Sequence, residues 1–162
     1  MALDFGQSFI KRSVVKLEED KINEVHILEK VKAKHVKWEY DNELEEKEEA
    51  KQEDEYIINC IIDTIDSCKK NSYDLNNEIV ISVANYIENG KFKNRGGYGK
   101  LRLITDNYEE YISNVLCEKL GERYKITLVH DGTAMAAAFS KYSKSVCISL
   151  GTAFGVGFPT YH

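Results

Sequence analysis

Two carboxylates and two glycine-containing stretches are the parts of this sequence whose residue types and spacing could do chemistry. Asp131 ends the apolar run LVHD at residues 128–131, and Asp4 lies two positions before Gly6. A carboxylate at a strand end can accept a proton from a hydroxyl group or hold a hydrated Mg²⁺. Glycines let backbone N–H groups approach an anion closely. This combination suggests a site that moves a phosphoryl group.

The first glycine stretch is predicted to be a strand, a tight turn and a second strand within residues 2–11. Gly6 would let the turn fold over a phosphate, with Gln7 in the turn and Ser8 offering a hydroxyl donor. Asp4 would hold the hydrated Mg²⁺. The alternative is that Asp4 is an ordinary turn residue and Gly6 serves only the hairpin geometry.

The second glycine stretch is GTAFGVG at residues 151–157. Its amide donors and the hydroxyl of Thr152 would neutralise charge on a phosphate, with Gly151 and Gly155 allowing the approach. The alternative is that the glycines only relieve crowding in a tight hairpin.

In this order the stretches resemble the sugar-kinase, actin and chaperone ATPase superfamily, and within it the ROK family of sugar kinases and sugar-responsive repressors. The family's opening motif is roughly D-x-G-G-T-x-x-K. Asp4, Gly6, Ser8 and Lys11 match it in register, while Gln7 replaces a glycine. Lys11 is nevertheless interpreted as an exposed strand residue and is left out of the site, because lysines are mostly exposed.

The family's second motif, N-D-A-N before an alanine-rich helix, corresponds to HDGTAMAAA at residues 130–138. By this resemblance Asp131 falls at the catalytic base, and His130 stands where an asparagine usually touches the sugar. The third motif, G-T-G-x-G-x-G, corresponds to residues 151–157, with Ala153 as the departure. Asp131 could instead cap the helix, and His130 could be an ordinary strand-end histidine.

A loop between these motifs completes the resemblance. NRGGYGKL at residues 94–101 looks like the family's loop that reaches sugar hydroxyls, which assigns Asn94 to the substrate. Asn94 is otherwise a turn residue beside two glycines. The proline-glycine pair that usually follows the family's central strand is missing after residues 79–84.

The resemblance implies an α/β fold, namely a ribonuclease-H-like mixed sheet with three antiparallel N-terminal strands and flanking helices. Residues 1–162 would form the N-terminal, phosphate-binding half-domain of an actin-like ATPase fold. The implied activity is ATP-dependent phosphorylation of a sugar hydroxyl, with ATP and Mg²⁺ as cofactors. A small-molecule sugar and a second half-domain or subunit would be the partners. The alternative is a non-catalytic sugar-sensing or assembly module of the same fold.

Periodicity predicts the elements that must position these residues. Alternation at residues 10–17 and 25–37 gives, with the first strand, a three-stranded antiparallel opening whose second turn is at residues 18–20. Apolar residues at helical spacing over residues 57–68 predict a helix. The charged run at residues 42–50 is interpreted as a solvated first portion of that helix or as a mobile loop.

The second half of the sequence predicts strands that alternate with helices. An apolar strand covers residues 79–84, and Asn89 with Gly90 predicts a hairpin. Asp106 is predicted to cap a helix that ends near Gly121. This order predicts a mixed sheet with helices on its faces, which would bring the carboxylates and the glycines together at the strand ends.

Composition limits the function classes. The 162 residues fit one domain, and the net charge of -5 repels nucleic acid, so no nucleic-acid partner is expected. No apolar run approaches the length of a membrane span, so no membrane partner is expected. The cysteines lack a C-x-x-C pair and are predicted to be free thiols, which fits a cytoplasmic location. They are Cys60, Cys68, Cys117 and Cys147.

Overall fold

The computed structural model describes residues 1–19, 21–34, 39, 41–95, 97–142, 144–150 and 154–159. The first half of the chain forms the strands β1 (Ala2–Phe5), β2 (Phe9–Glu18) and β3 (Lys21–Lys32), the helix α1 (Glu43–Lys70) and the strand β4 (Glu78–Val83). The second half forms β5 (Ile87–Glu88), β6 (Lys91–Phe92), a 3₁₀ helix (Gly97–Leu103), α2 (Tyr108–Leu120), β7 (Lys125–His130), α3 (Asp131–Ala137), β8 (Cys147–Leu150) and β9 (Phe154–Gly157).

Five strands form one mixed sheet in the order β3-β2-β1-β4-β7. β2 runs antiparallel to both β1 and β3, while β1, β4 and β7 are mutually parallel. The predicted antiparallel opening is therefore confirmed, and so is the mixed α/β class. Two hairpins, β5-β6 and β8-β9, lie outside this sheet.

One face of the sheet forms the hydrophobic core with α1 and α2. Alternate strand residues such as Leu3, Ile81 and Leu128 pack in one cluster with Ile61 of α1 and Ile112 of α2. Burying each of these side chains contributes roughly 1.5–3 kcal/mol. Because side chains alternate along a strand, the residues between them point to the opposite face.

The helix α1 begins and ends where its sequence indicates. The Asn42 side chain accepts a hydrogen bond from the Glu45 N–H at 3.0 Å, which satisfies one free donor of the first turn. Three glutamates lie in that first turn, and Lys69 and Lys70 lie in the last, as the helix dipole favours.

The charged run at residues 42–50 is mostly solvated, as predicted. It does form the start of α1, but Glu46 is buried and its carboxylate contacts Arg102 Nη1 at 2.6 Å and Arg95 Nη2 at 2.8 Å. Glu46 is buried because it shares the helix face that continues through Ala50 to Ile57, and the 3₁₀ helix packs against that face.

Two local predictions have different outcomes. The turn at Asn89 and Gly90 joins β5 to β6 with positive φ at both residues, as predicted. The cap predicted at Asp106 is wrong by one residue, because Asn107 accepts the hydrogen bond from the Glu110 N–H at 3.1 Å. Asp106 instead pairs with Lys91.

The four cysteines are free thiols that differ in burial. Cys60 and Cys68 are buried free thiols, and Cys117 and Cys147 are partly exposed free thiols. Within the described ranges, no helix is both long and apolar enough to span a bilayer.

We expect Glu46→Gln to lower the free energy of unfolding by about 1.5–3 kcal/mol at neutral pH, the usual worth of hydrogen bonds to a charged group. The hydrogen bond from Arg102, followed by that from Arg95, lowers the pKa of Glu46. Such a carboxylate stabilises the fold above its unfolded pKa, and this contribution is lost as the pH falls through the folded pKa.

Urea unfolding at neutral and acidic pH measures this effect. The difference between wild type and Glu46→Gln should shrink at acidic pH, and the exposed Glu48→Gln on the same helix should change little at either pH. Equal losses in both variants, or a Glu46→Gln loss that is independent of pH, would contradict the buried ionic contact.

Candidate functional site

The carboxyl ends of the three parallel strands lie level with one another. Phe5 of β1 pairs in register with Val83 of β4, which pairs in register with His130 of β7. Gly6 and its turn follow β1, Ala84 follows β4, and Asp131 follows β7. In open α/β sheets, ligands collect at this edge.

A cleft of ≈ 640 Å³, here called the main cleft, opens at this edge. Five of the residues predicted from sequence line it, and they include both carboxylates: Asp4, Gly6, Gln7, Ser8 and Asp131. The lining of the cleft also includes Ser82, Met135 and Ser149. The predicted meeting of the N-terminal turn with Asp131 is therefore seen in the structure.

The glycine turn is held by three hydrogen bonds. The Gly6 N–H donates to Phe9 O at 3.2 Å, and the Ala33 N–H donates to Ser8 O at 3.0 Å. The hydroxyl of the buried Tyr98 donates to Gly6 O at 2.9 Å. Tyr98 lies in the 3₁₀ helix, so the loop assigned to the substrate is fastened directly to the turn assigned to phosphate.

Asp4 and Lys11 form an ion pair in the main cleft. Lys11 Nζ lies 2.9 Å from Asp4 Oδ2, and the two residues face each other across the antiparallel pair β1-β2. Lys11 is 71% exposed, as its interpretation as a surface residue requires, yet it also lines the cleft. Sequence reasoning left Lys11 out of the site. The predicted N-terminal hairpin could have identified Lys11 as a site residue, because its register places Lys11 directly opposite Asp4.

Asp131 is the first residue of α3 and is not its cap. His130 occupies the N-cap position, and Asp131 Oδ1 accepts a hydrogen bond from the adjacent Gly132 N–H at 2.6 Å. His130 Nε2 lies 3.1 Å from the same oxygen. Oδ2 makes no hydrogen bond or ion pair within the described residues. The side chain is 45% exposed, so Oδ2 is available to a ligand.

A smaller pocket of ≈ 190 Å³, here called the side pocket, adjoins the main cleft. Asn94, His130 and Gly155 line it, and Gln7 and Asp131 line both spaces. The predicted substrate and phosphate residues are thus brought to neighbouring spaces that meet at Asp131. Gly151 and Thr152 lie outside the described residues, so their predicted role stays a prediction.

Two aromatic rings form one wall of the side pocket. The rings of Tyr86 and His130 stack with centroids 4.5 Å apart and an interplanar angle of 11°. This contact fixes the orientation of the His130 ring. Sequence reasoning did not single out Tyr86, because it follows the apolar strand without belonging to any motif.

The two described glycines of the third motif differ in how much room their surroundings leave for a side chain. A Cβ on Gly157 would lie 1.9 Å from Gly132 O, so close packing of β9 against α3 requires that glycine. A Cβ on Gly155 would meet nothing closer than Ser149 Cβ at 3.4 Å, which is ordinary contact. Packing therefore explains Gly157, whereas the described residues leave room for a side chain at position 155.

The residues of the main cleft are compatible with Mg²⁺ bound through phosphate. Among the residues that the structure describes, no group of three or more His, Cys, Asp or Glu side chains could hold a metal ion. Mg²⁺ at phosphoryl-transfer sites takes only one or two carboxylates and fills its other positions with water and phosphate oxygens. The partly exposed carboxylate of Asp4 fits that requirement, provided that Lys11 releases it.

No protein-family model matches the chain, and no curated protein is significantly similar to it. The function is therefore inferred from the geometry of the main cleft and the side pocket and from the sequence motifs.

We expect Tyr98→Phe to loosen the glycine turn. Loss of the hydroxyl that donates to Gly6 O should cost about 0.5–1.5 kcal/mol of stability and speed hydrogen exchange at the Gly6 amide. Tyr73→Phe is the matched control, since the Tyr73 hydroxyl has no hydrogen bond within the described ranges. Exchange rates measured by NMR that rise equally throughout the sheet, or that do not change at Gly6, would contradict this positioning role.

Proposed function

We propose that this chain is the phosphate-binding half of an ATP-dependent carbohydrate kinase of the ROK type. The observation that carries the proposal is that two carboxylates and a hydrogen-bonded glycine turn line one cleft at the level ends of three parallel strands. The sheet supports a ribonuclease-H-like architecture, because three antiparallel N-terminal strands are followed by strands that alternate with helices. The proposed use of ATP and the free thiols of the cysteines both favour a cytoplasmic location.

Asp131 is proposed as the general base. It borders both the main cleft and the side pocket, so an acceptor hydroxyl held beside Asn94 and His130 would lie next to it. Oδ1 is fixed by the Gly132 N–H, while Oδ2 is available to accept the hydroxyl proton. The resulting alkoxide-like oxygen would attack the terminal phosphorus of ATP in line, and ADP would leave on the opposite side.

The main cleft is proposed to hold the phosphate chain. The Gly6 turn would present its backbone donors and the Ser8 hydroxyl to phosphate oxygens. Bound Mg²⁺ would neutralise charge on the transferred group. Asp4 would hold the hydrated ion, and Lys11, which now pairs with Asp4, would be released toward the phosphates. A lysine ammonium is a point charge that suits this second role.

A second half-domain or subunit is proposed to complete the site and to contact the adenosine. Ile148 and Leu150 of β8 are exposed, and so is Phe158 after β9. Neighbouring exposed apolar side chains at the edge of a binding site are typical of a surface that another domain covers.

A non-catalytic sugar-sensing or assembly module is the second candidate. The Asp4–Lys11 ion pair favours it, because a carboxylate neutralised by lysine holds Mg²⁺ less readily. In such a module the side pocket would still bind the sugar, while phosphoryl transfer would be absent.

Asp131→Asn separates the two candidates. In the protein completed by its second half-domain or subunit, this variant should lower sugar phosphorylation by about a hundred- to ten-thousand-fold, the usual worth of a general base. Binding of ATP and of sugar should persist, because asparagine can still accept the Gly132 hydrogen bond. A coupled kinase assay with a panel of hexoses makes the measurement.

Asp4→Asn is the matched comparison. It removes the charge that holds Mg²⁺ and not the base, so it should raise the Mg²⁺ concentration that the assay requires. Turnover of Asp131→Asn close to that of the wild type would remove Asp131 from the mechanism. Absence of turnover in the completed wild-type protein would favour the sensing module.

A further inference from the structure

Asn85 is a buried amide whose hydrogen-bonding capacity is unmet. The residue is 6% exposed and directly follows the exit from β4, between the main sheet and the β5-β6 hairpin. Its side-chain Oδ1 is enclosed and accepts no hydrogen bond, and its Nδ2 donates none within the part of the chain that the structure describes. Nearly all buried amides in folded proteins have a partner, so this one requires an explanation.

Asn85 borders a pocket in which a ligand could pair with its amide. Asn85 lines the side pocket together with Asn94, His130 and Asp131. The two amide atoms exchange places by a half-turn of the last side-chain bond, so either a donor or an acceptor can face the pocket. A ligand group could pair with whichever amide atom faces the pocket, because that atom donates or accepts no hydrogen bond from the described residues.

The neighbouring backbone leaves room for this amide. A Cβ on Gly99 would lie 2.8 Å from Asn85 Nδ2 and 1.8 Å from Asn94 O. Only a residue without a side chain therefore allows the 3₁₀ helix to approach both asparagines. The Asn85 N–H also donates to Val83 O at 2.8 Å, which fixes the backbone from which the amide projects.

The side pocket has the chemistry of a polyol site. Three of its side chains are carboxamides, which both donate and accept hydrogen bonds as hydroxyl groups do: Gln7, Asn85 and Asn94. Arg95 shares the carboxylate of Glu46 with Arg102, and the carboxylate of Asp131 in the same pocket disfavours an anionic ligand. At ≈ 190 Å³ the pocket suits a single ring and not a drug-sized molecule.

We propose that Asn85 is a specificity-determining residue that binds a hydroxyl group of a sugar-sized polyol in the side pocket. This inference rests on the proposed function only for the class of ligand. An apolar residue at this position would leave the polyol hydroxyl unpaired in a buried site, and such sites reject the mismatched partner strongly. Asn85 thus selects a hydroxylated acceptor before Asp131 acts on it.

The test is an NMR titration of the ¹⁵N-labelled chain with D-glucose and D-mannose. At least one sugar should give saturable shifts of the Asn85 and Asn94 side-chain amides with one dissociation constant. Asn85→Leu and Asn85→Ala should each weaken that binding about three- to tenfold, the loss of one hydrogen bond. Asn114→Leu, at an exposed asparagine of α2, should leave binding unchanged.

A stability measurement keeps the test decisive if one variant binds poorly for structural reasons. Without sugar, the thermal midpoint of Asn85→Leu should equal or exceed that of the wild type, because an unpartnered buried amide is removed. Lower midpoints in both Asn85 variants would show a structural role and overturn the inference. Absence of saturable shifts in the wild type at any sugar concentration would also overturn it.

The inference and the proposed function fail in different ways. Sugar binding that depends on Asn85 in a completed protein without turnover would contradict the kinase and support the inference. Wild-type affinity in Asn85→Leu would overturn the inference, whereas phosphorylation by the completed protein would still support the kinase.

Discussion

The parallel register of β1, β4 and β7 is the constraint on which the site depends. Because Phe5, Val83 and His130 pair in one row, the three strand ends are level and their exits open into one cleft. A slip of one residue in β1 would turn Asp4 into the helix-packed face, since side chains alternate along a strand. The sheet therefore fixes which carboxylate faces the main cleft, and it places the glycine turn at the end of β1.

A second set of contacts holds the 3₁₀ helix (Gly97–Leu103) against this edge. Two ionic contacts join α1 to the 3₁₀ helix. Glu46 pairs with Arg102, and the buried Glu53 lies 3.4 Å from the buried Lys100. Burial raises the pKa of Glu53 and opposes its charge, so that pair is weak evidence for stability. The pair lies between α1 and the 3₁₀ helix, from which the Tyr98 hydroxyl donates a hydrogen bond to the glycine turn.

Sequence reasoning succeeded where a local pattern determines the structure. The antiparallel opening and the Asn89-Gly90 turn follow from short-range periodicity and backbone preference. It did not predict that Glu46, in the charged start of α1, is buried, because the partners of Glu46 lie about fifty residues away. The sequence also did not show that Asn85 Oδ1 lacks a hydrogen-bond donor, because this depends on which described residues the fold brings close to that oxygen.

The central claim is that the main cleft binds a metal-bound nucleotide, and Mn²⁺ in place of Mg²⁺ tests it most directly. Mn²⁺ prefers the same oxygen ligands, and its unpaired electrons broaden nearby NMR signals. With ATP present, the account predicts selective broadening of the amides of Gly6, Gln7, Ser8 and Gly132, all of which line the main cleft. Broadening confined to the exposed acidic residues of α1, or spread evenly over the surface, would contradict it.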